Sequence, residues 1–417
     1  MVQNIKKYFK NFLLISGGIL MASCNTKPIE NEQFDYSKYP LYNENIDSIE
    51  YKFNDKEISD PFYKGNVVYN ESVLLTKDDE TGEISGNLMF KPTKILAVKD
   101  YTLKTKDYRQ DVDFTLDGNK IIKKEGSDIP YRTHAELVGE SIPEGYRLVT
   151  KITNTLTDLQ NMGGAIYTES PFYYGSQLWV SYVYDVKEID PNLDKYPSYN
   201  DTKISRTIEK LKNKEEVKIV GLGDSVLEGC SSSKKFNHEP YMDTFIEMVK
   251  DNLSSLYETT VNLKNLSVGG MQSSWGCQAQ QINNIVAEQP DLLFLHFGIN
   301  DLGSQRATIA YADDMESIIL DIQSKLPNCD IILLSPFAPN NLLYDYDKMQ
   351  EYVDVLKGFE ETYDHVQLID IFSLSKEITK NKKYLDMSGN GINHVNDFAS
   401  RVYLQAILST MYDYSNK

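Results

Sequence analysis

The rhythm of apolar and polar positions changes near residue 190. Before it, short runs rich in Val, Ile, Thr and Tyr stand between turn clusters: GNVVYNESVLL, NLMFKPTKILAV, VDFTL, YRLVTKITNTL and QLWVSYVYD. The clusters Asp78-Asp79-Glu80-Thr81-Gly82 and Asp117-Gly118-Asn119 punctuate them. In the last run Leu178, Val180, Tyr182 and Tyr184 alternate with Trp179, Ser181, Val183 and Asp185, the period-two pattern of a strand with two distinct faces. Long helical patterns and repeats are missing, so residues 46–187 read as an antiparallel β-sandwich accessory domain. The rings of Tyr167, Phe172, Tyr173, Tyr174 and Trp179 would suit stacking on a pyranose, but rings in a sandwich more often build the core. His134 reads as a loop residue.

A polar run from Glu188 to Thr202, broken by Pro191 and Pro197, leads into a short helix over Ile204–Lys212, making 188–214 a linker. Over 215–417 strands alternate with helices. Strands are expected at Val217–Gly221, Val261–Leu266, Leu292–Phe297, Ile331–Leu334 and Val366–Ile371. Helical spacing marks Tyr241–Leu253, Gln278–Glu288, Ala310–Leu326, Asp347–Tyr363 and Asp397–Met411. Such alternation predicts a parallel sheet covered on both faces, a three-layer α/β/α flavodoxin-like domain.

In such a sheet, ligands bind beyond the carboxyl ends of the strands. The first strand runs into Gly221, Gly223, Asp224 and Ser225 within VKIVGLGDSVLEG. A dinucleotide fingerprint would need Gly where Val226 stands, a nucleophile elbow would need Gly where Leu227 stands, and the Lys-Ser or Lys-Thr pair of a phosphate loop is absent. A Gly-Asp-Ser turn remains. The other strand ends carry Asn265-Leu266-Ser267-Val268-Gly269-Gly270 and Gly298-Ile299-Asn300-Asp301, and Asn390-Gly391-Ile392-Asn393-His394 precedes the last helix. These segments converge on one edge. Asn300 has an alternative as a helix cap, Gly270 as a turn residue, and Asp301 reads as a structural acceptor. His296 reads as a core histidine, His365 as a surface residue and His238 as part of a loop.

The 417 residues carry a formal charge of −18. This acidic field argues against nucleic acid or an anionic membrane surface as the main partner. At the amino terminus Lys6, Lys7 and Lys10 precede an apolar segment too short to span a bilayer, and Met21-Ala22-Ser23-Cys24 follows. Residues 1–23 resemble a bacterial lipoprotein signal peptide, which implies cleavage before Cys24, lipidation of its thiol, a tether over 24–45 and location in the cell envelope, at the outer membrane or cell surface. Export leaves Cys230, Cys277 and Cys329 in an oxidising compartment, where Cys230 and Cys277 either pair or remain free thiols. No Cys/His spacing suits zinc.

The blocks around Ser225, Gly270, Asn300 and His394 resemble the SGNH, or GDSL, hydrolase family in order and spacing. The words SVGGMQSSWG and GNGINHVNDFASRVY are similar to an exported bacterial branch in which a β-rich domain precedes the hydrolase. More weakly, so are ESVLL and SDIPY in the first domain. The resemblance implies Ser225 as nucleophile, His394 as general base and an oxyanion hole made by Ser225, Gly270 and Asn300. The family usually sets an Asp three residues before the histidine. Gly391 holds that position here, and Asn390 stands where relatives with an Asn-His pair place the acid. A Ser-His dyad is therefore expected, with Asn390 or a backbone carbonyl orienting the imidazole.

These readings imply a serine esterase acting on acetyl or other small acyl esters, its partner an acylated carbohydrate, with no metal or organic cofactor. The missing acid motivates a rival of another class, a glycan-binding lipoprotein on a degenerate hydrolase scaffold. An acyltransferase using the same acyl-enzyme is a third expectation.

Overall fold

The structure, a computed structural model, describes residues 34–53, 58–144, 147–150, 164–168 and 172–417. The signal segment, Cys24 and the tether as far as residue 33 lie outside the described residues. Residues 38–417 form one compact unit; of residues 1–37, which group separately, only 34–37 are described.

The amino-terminal half is β-rich. Strands β1 (Val67–Leu74), β2 (Thr76–Lys77), β3 (Ile84–Asn87), β4 (Pro92–Lys99), β5 (Phe114–Asp117), β6 (Lys120–Lys123), β7 (Arg132–Thr133), β8 (Arg147–Thr150), β9 (Gly164–Tyr167) and β10 (Gln177–Tyr184) follow one another. They pair as a three-stranded antiparallel sheet β1-β10-β4, a five-stranded sheet β5-β6-β3-β2-β7 and a hairpin β8-β9. Only β2 and β7 run parallel among these pairs.

Two details depart from the sequence pattern. All eight side chains of β10 are buried, although their alternation suggests one wet face. The central strand is covered on both sides, and its polar groups are satisfied internally: Trp179 Nε1 donates to the Tyr101 carbonyl, the Tyr182 hydroxyl to Glu71, and the Tyr184 hydroxyl to Phe62 and Gly65 carbonyls. His134 is not in a loop but opens a short helix, His134–Leu137, because Thr133 and Glu136 form a capping box there. The rings of Phe172, Tyr173, Tyr174 and Trp179 are core, as their setting suggests.

The carboxyl-terminal half holds a parallel sheet of β11 (Val217–Gly223), β12 (Val261–Asn265), β13 (Leu292–His296), β14 (Asp330–Leu334) and β15 (Val366–Ile369), in the order β12-β11-β13-β14-β15. The first strand continues through both glycines instead of ending at Gly221. Gly221 pairs with Asn265 and Phe294, and a methyl group on Gly223 would lie 2.5 Å from the His296 carbonyl oxygen. The glycines thus permit close strand packing. On one face Val220, Leu222, Leu293, Leu295 and Ile331 pack against helices Ala279–Glu288, Thr308–Lys325 and Tyr346–Thr362. On the other face stand helices Phe245–Tyr257 and Asp397–Met411, where Phe245 and Tyr403 stack at 4.6 Å. The last strand stops at Ile369, two residues earlier than its apolar run suggests, because Asp370 accepts from the Ser373 amide and caps a helix over Ile371–Ile378.

The closing helix Asp397–Met411 is buried along its whole length. Its polar stripe, Asp397, Arg401, Gln405 and Ser409, repeats every four residues and so lies on one side. All four members bond to the amino-terminal half: Asp397 accepts from the Tyr174 hydroxyl at 3.4 Å, Arg401 donates to the carbonyls of Tyr69 and Asn70, Gln405 to that of Ile58, and Ser409 accepts from Tyr63 at 2.7 Å. Beside it, the Lys382 ammonium meets Glu71 at 2.6 Å with both side chains fully buried, and also donates to the Ser72 and Asn87 carbonyls. Burial raises the Glu71 pKa, and the Lys382 charge opposes that rise.

Candidate active site

Ser225 begins a one-turn helix, Ser225–Glu228, at the carboxyl end of β11. Asp224 caps it, its Oδ1 accepting from the Val226 amide at 2.9 Å. The same oxygen accepts from His296 Nδ1 at 3.0 Å. His296 Nε2 stands 3.0 Å from the Tyr403 hydroxyl, which accepts from the Phe337 amide at 2.7 Å. Because Asp224 can only accept, Nδ1 carries the proton. With the Tyr403 hydroxyl at Nε2, both ring nitrogens of His296 have partners. It is a core histidine that clamps the nucleophile turn.

The loop after β12 extends along the end of β11, the Leu266 amide donating to Gly221 and the Val268 amide to Gly223. This sets Gly269 beside Ser225: a methyl group there would sit 3.6 Å from Ser225 Cβ. Gly270 follows with φ at +78°, a conformation that favours glycine. Asn300, after β13, donates from Nδ2 to the Met271 carbonyl at 3.0 Å. The neighbouring Asp301 accepts from the Ser273 amide and hydroxyl, tying the second loop to the third strand end. Burial raises the Asp301 pKa, opposed by the Ser273 bonds and Arg306. Asp301 thus fills the structural role its position suggests.

His394 Nε2 lies 2.9 Å from Ser225 Oγ. These side chains stand 169 residues apart in sequence, and the sheet edge brings them within hydrogen-bond reach. Asn390 Oδ1 accepts from the amides of Ile392, Asn393 and His394 at 2.9 to 3.0 Å. Its carbonyl group thus organises the backbone that carries the imidazole. The arrangement has the parts needed for acyl transfer: a hydroxyl paired with an imidazole, a helix-start amide with no intrahelical acceptor, and a glycine-rich loop and an asparagine at its rim.

Further supports complete the site. Asp397 Oδ1 accepts from the Ser233 amide at 2.9 Å and lies 3.4 Å from the Tyr174 hydroxyl. Full burial pushes its pKa up to about 6, against the Ser233 bonds and the Arg401 charge. The density of rings around residue 173 was the available signal for this support. Of the other histidines, His238 packs edge-on against Tyr174 at 4.6 Å, while His365 is not simply superficial but meets Asp330 at 3.0 Å. Cys230, Cys277 and Cys329 are free thiols. Among the described residues no three His, Cys, Asp or Glu side chains are grouped to hold a metal, and no helix is long and apolar enough to cross a membrane.

The family model of GDSL-like Lipase/Acylhydrolase matches residues 222–402. No curated relative matches the chain. Among solved structures, an acetylxylan esterase from Geobacillus stearothermophilus is similar at 18% identity and a TM-score of 0.40, the match covering 48% of this chain and 95% of the other. An α/β hydrolase from the metagenome of Lake Arreo, Spain, is similar at 18% identity and a TM-score of 0.39, covering 47% and 94%.

Proposed function

With residues 222–402 belonging to the GDSL-like lipase and acylhydrolase family, we propose that the protein is a serine esterase that removes acetyl or another small acyl group from a carbohydrate. The observation that carries this reading is the 2.9 Å contact between His394 Nε2 and Ser225 Oγ. In this mechanism His394 takes the serine proton as Oγ attacks the ester carbonyl. The oxyanion meets the amides of Ser225 and Gly270 and the side-chain amide of Asn300, donors worth about 3 to 4 kcal/mol each. Collapse gives an acyl-enzyme while the imidazolium protonates the leaving alcohol. Water, deprotonated by the same imidazole, then releases the acid. The steps require neither metal nor organic cofactor.

The carbohydrate is supported by the resemblance to an exported branch and by the lipoprotein-like leader. Cys24 is proposed as the lipid anchor to the bacterial cell envelope; labelling with a radioactive fatty acid, lost in Cys24→Ala, would bear this out. Release of acetate from an aryl acetate and from acetylated polysaccharides, compared between the parent and Ser225→Ala, tests the activity. Equal rates would overturn the esterase and favour a glycan-binding role on the same scaffold.

A further inference from the structure

The loop bearing His394 is walled by the amino-terminal half of the chain. The Thr168 amide donates to the Asn390 carbonyl at 3.3 Å. The Tyr173 hydroxyl donates to the Ile166 carbonyl at 2.8 Å, and both groups press on Gly391. A methyl group on Gly391 would collide with the Ile166 oxygen and the Tyr173 hydroxyl, and would lie 2.7 Å from Tyr173 Cε2. Gly391 also has φ at +82°, which L side chains rarely adopt. From another side Asn340 donates to the Gly391 carbonyl at 2.8 Å. The segment is therefore fixed from outside as well as by Asn390 within it.

Position 391 is also where the usual spacing of the resembled family, three residues before the histidine, would put a carboxylate. No side chain fits there while Ile166 and Tyr173 keep their places. We infer that Ile166, Thr168 and Tyr173 are positioning residues for the His394 imidazole, and that the amino-terminal half occupies the space an acid at position 391 would need. The inference rests on the esterase reading for its kinetic consequence, but its structural content stands apart from turnover. A base displaced by about 1 Å can lose on the order of a hundredfold in rate, so a wall against this loop acts on kcat.

Two variants of the full chain test it. Gly391→Asp supplies the carboxylate, and kcat for an aryl acetate should fall at least about tenfold; a rate equal to or above the parent's would overturn the inference. Tyr173→Phe removes one hydroxyl and covers the case in which the first variant does not fold. Its kcat should fall about fivefold, with KM within about twofold and a thermal midpoint lowered only by the loss of one buried hydrogen bond. Hydrogen exchange of the 388–396 peptide gives a readout independent of catalysis. Faster exchange in Tyr173→Phe is expected, and exchange and kcat both unchanged would overturn the wall. A parent without turnover, whose Ser225 also resists a fluorophosphonate, would remove the esterase reading and leave the exchange result to decide.

Discussion

Ser225 and His394 meet at 2.9 Å, yet the supports behind them come from opposite ends of the chain. The serine turn is fixed by its own half: Asp224 caps it, His296 holds Asp224, and Tyr403 holds His296. The histidine loop is held from both halves: by Asn390 and Asn340 from its own, and by Thr168, Ile166 and Tyr173 from the other. One side of the site is thus assembled wherever the parallel sheet forms, whereas the other requires the amino-terminal strands to be in place. A parallel-sheet fold can therefore carry a site whose geometry depends on a region outside the sheet.

The largest expected effect is on the pair itself. Ser225→Ala and His394→Ala should each lower kcat by about a thousandfold or more, and the double variant should be little worse than either, because the two act as one unit. Additive losses in steady-state assays would show that they act separately. Next comes the weld between the halves. Lys382→Met strands the Glu71 carboxylate in the interior and should cost about 3 to 5 kcal/mol in urea unfolding at neutral pH, whereas a loss under about 1 kcal/mol, the range of a surface pair, would mean that Glu71 regains water.

A smaller effect depends on pH. Burial raises the folded pKa of Asp397 to about 6, above the usual carboxylate value. The folded state therefore holds this proton more tightly than the unfolded chain. The stability it contributes is full below about pH 4 and is lost as pH rises through about 6, a span of about 3 kcal/mol. Asp397→Asn should flatten that part of the stability curve, and an unchanged slope between pH 4 and 6.5 would assign it to other groups. Smallest is Tyr403→Phe, which removes the partner of His296 and of the Phe337 amide. It should cost about 1 to 3 kcal/mol of stability while changing kcat less than Tyr173→Phe does. The reverse ordering would place the sensitive side of the site on the serine turn.

The parallel sheet was legible because its strands and helices alternate with clear periods. The closing helix was read at its observed bounds, Asp397–Met411. The helix Ile371–Ile378 was not read, since Ile369-Asp370-Ile371 continues an apolar run and the cap on Asp370 appears only in three dimensions. Strands β3 and β6 have four residues each, with Gly86 inside β3, too few to establish a period of two. Ser225, Gly270, Asn300 and His394 stood out as strand-end polar residues in a recurring order. Thr168 and Ile166 could not, because they act through a main-chain amide and carbonyl that almost any residue would supply there. The stripe Arg401, Gln405 and Ser409 has the spacing of a solvated helix face, and only the coordinates place it against backbone carbonyls and a tyrosine of the other half.

That stripe has a consequence for biosynthesis. The helix bearing it is made more than three hundred positions after the residues whose carbonyls it satisfies. The early segments must therefore wait, partly unsealed, until this helix has been made. A transcript truncated ahead of codon 397 would yield a product with the Ile58, Tyr69 and Asn70 carbonyls bare, a substrate for proteases rather than a shortened hydrolase.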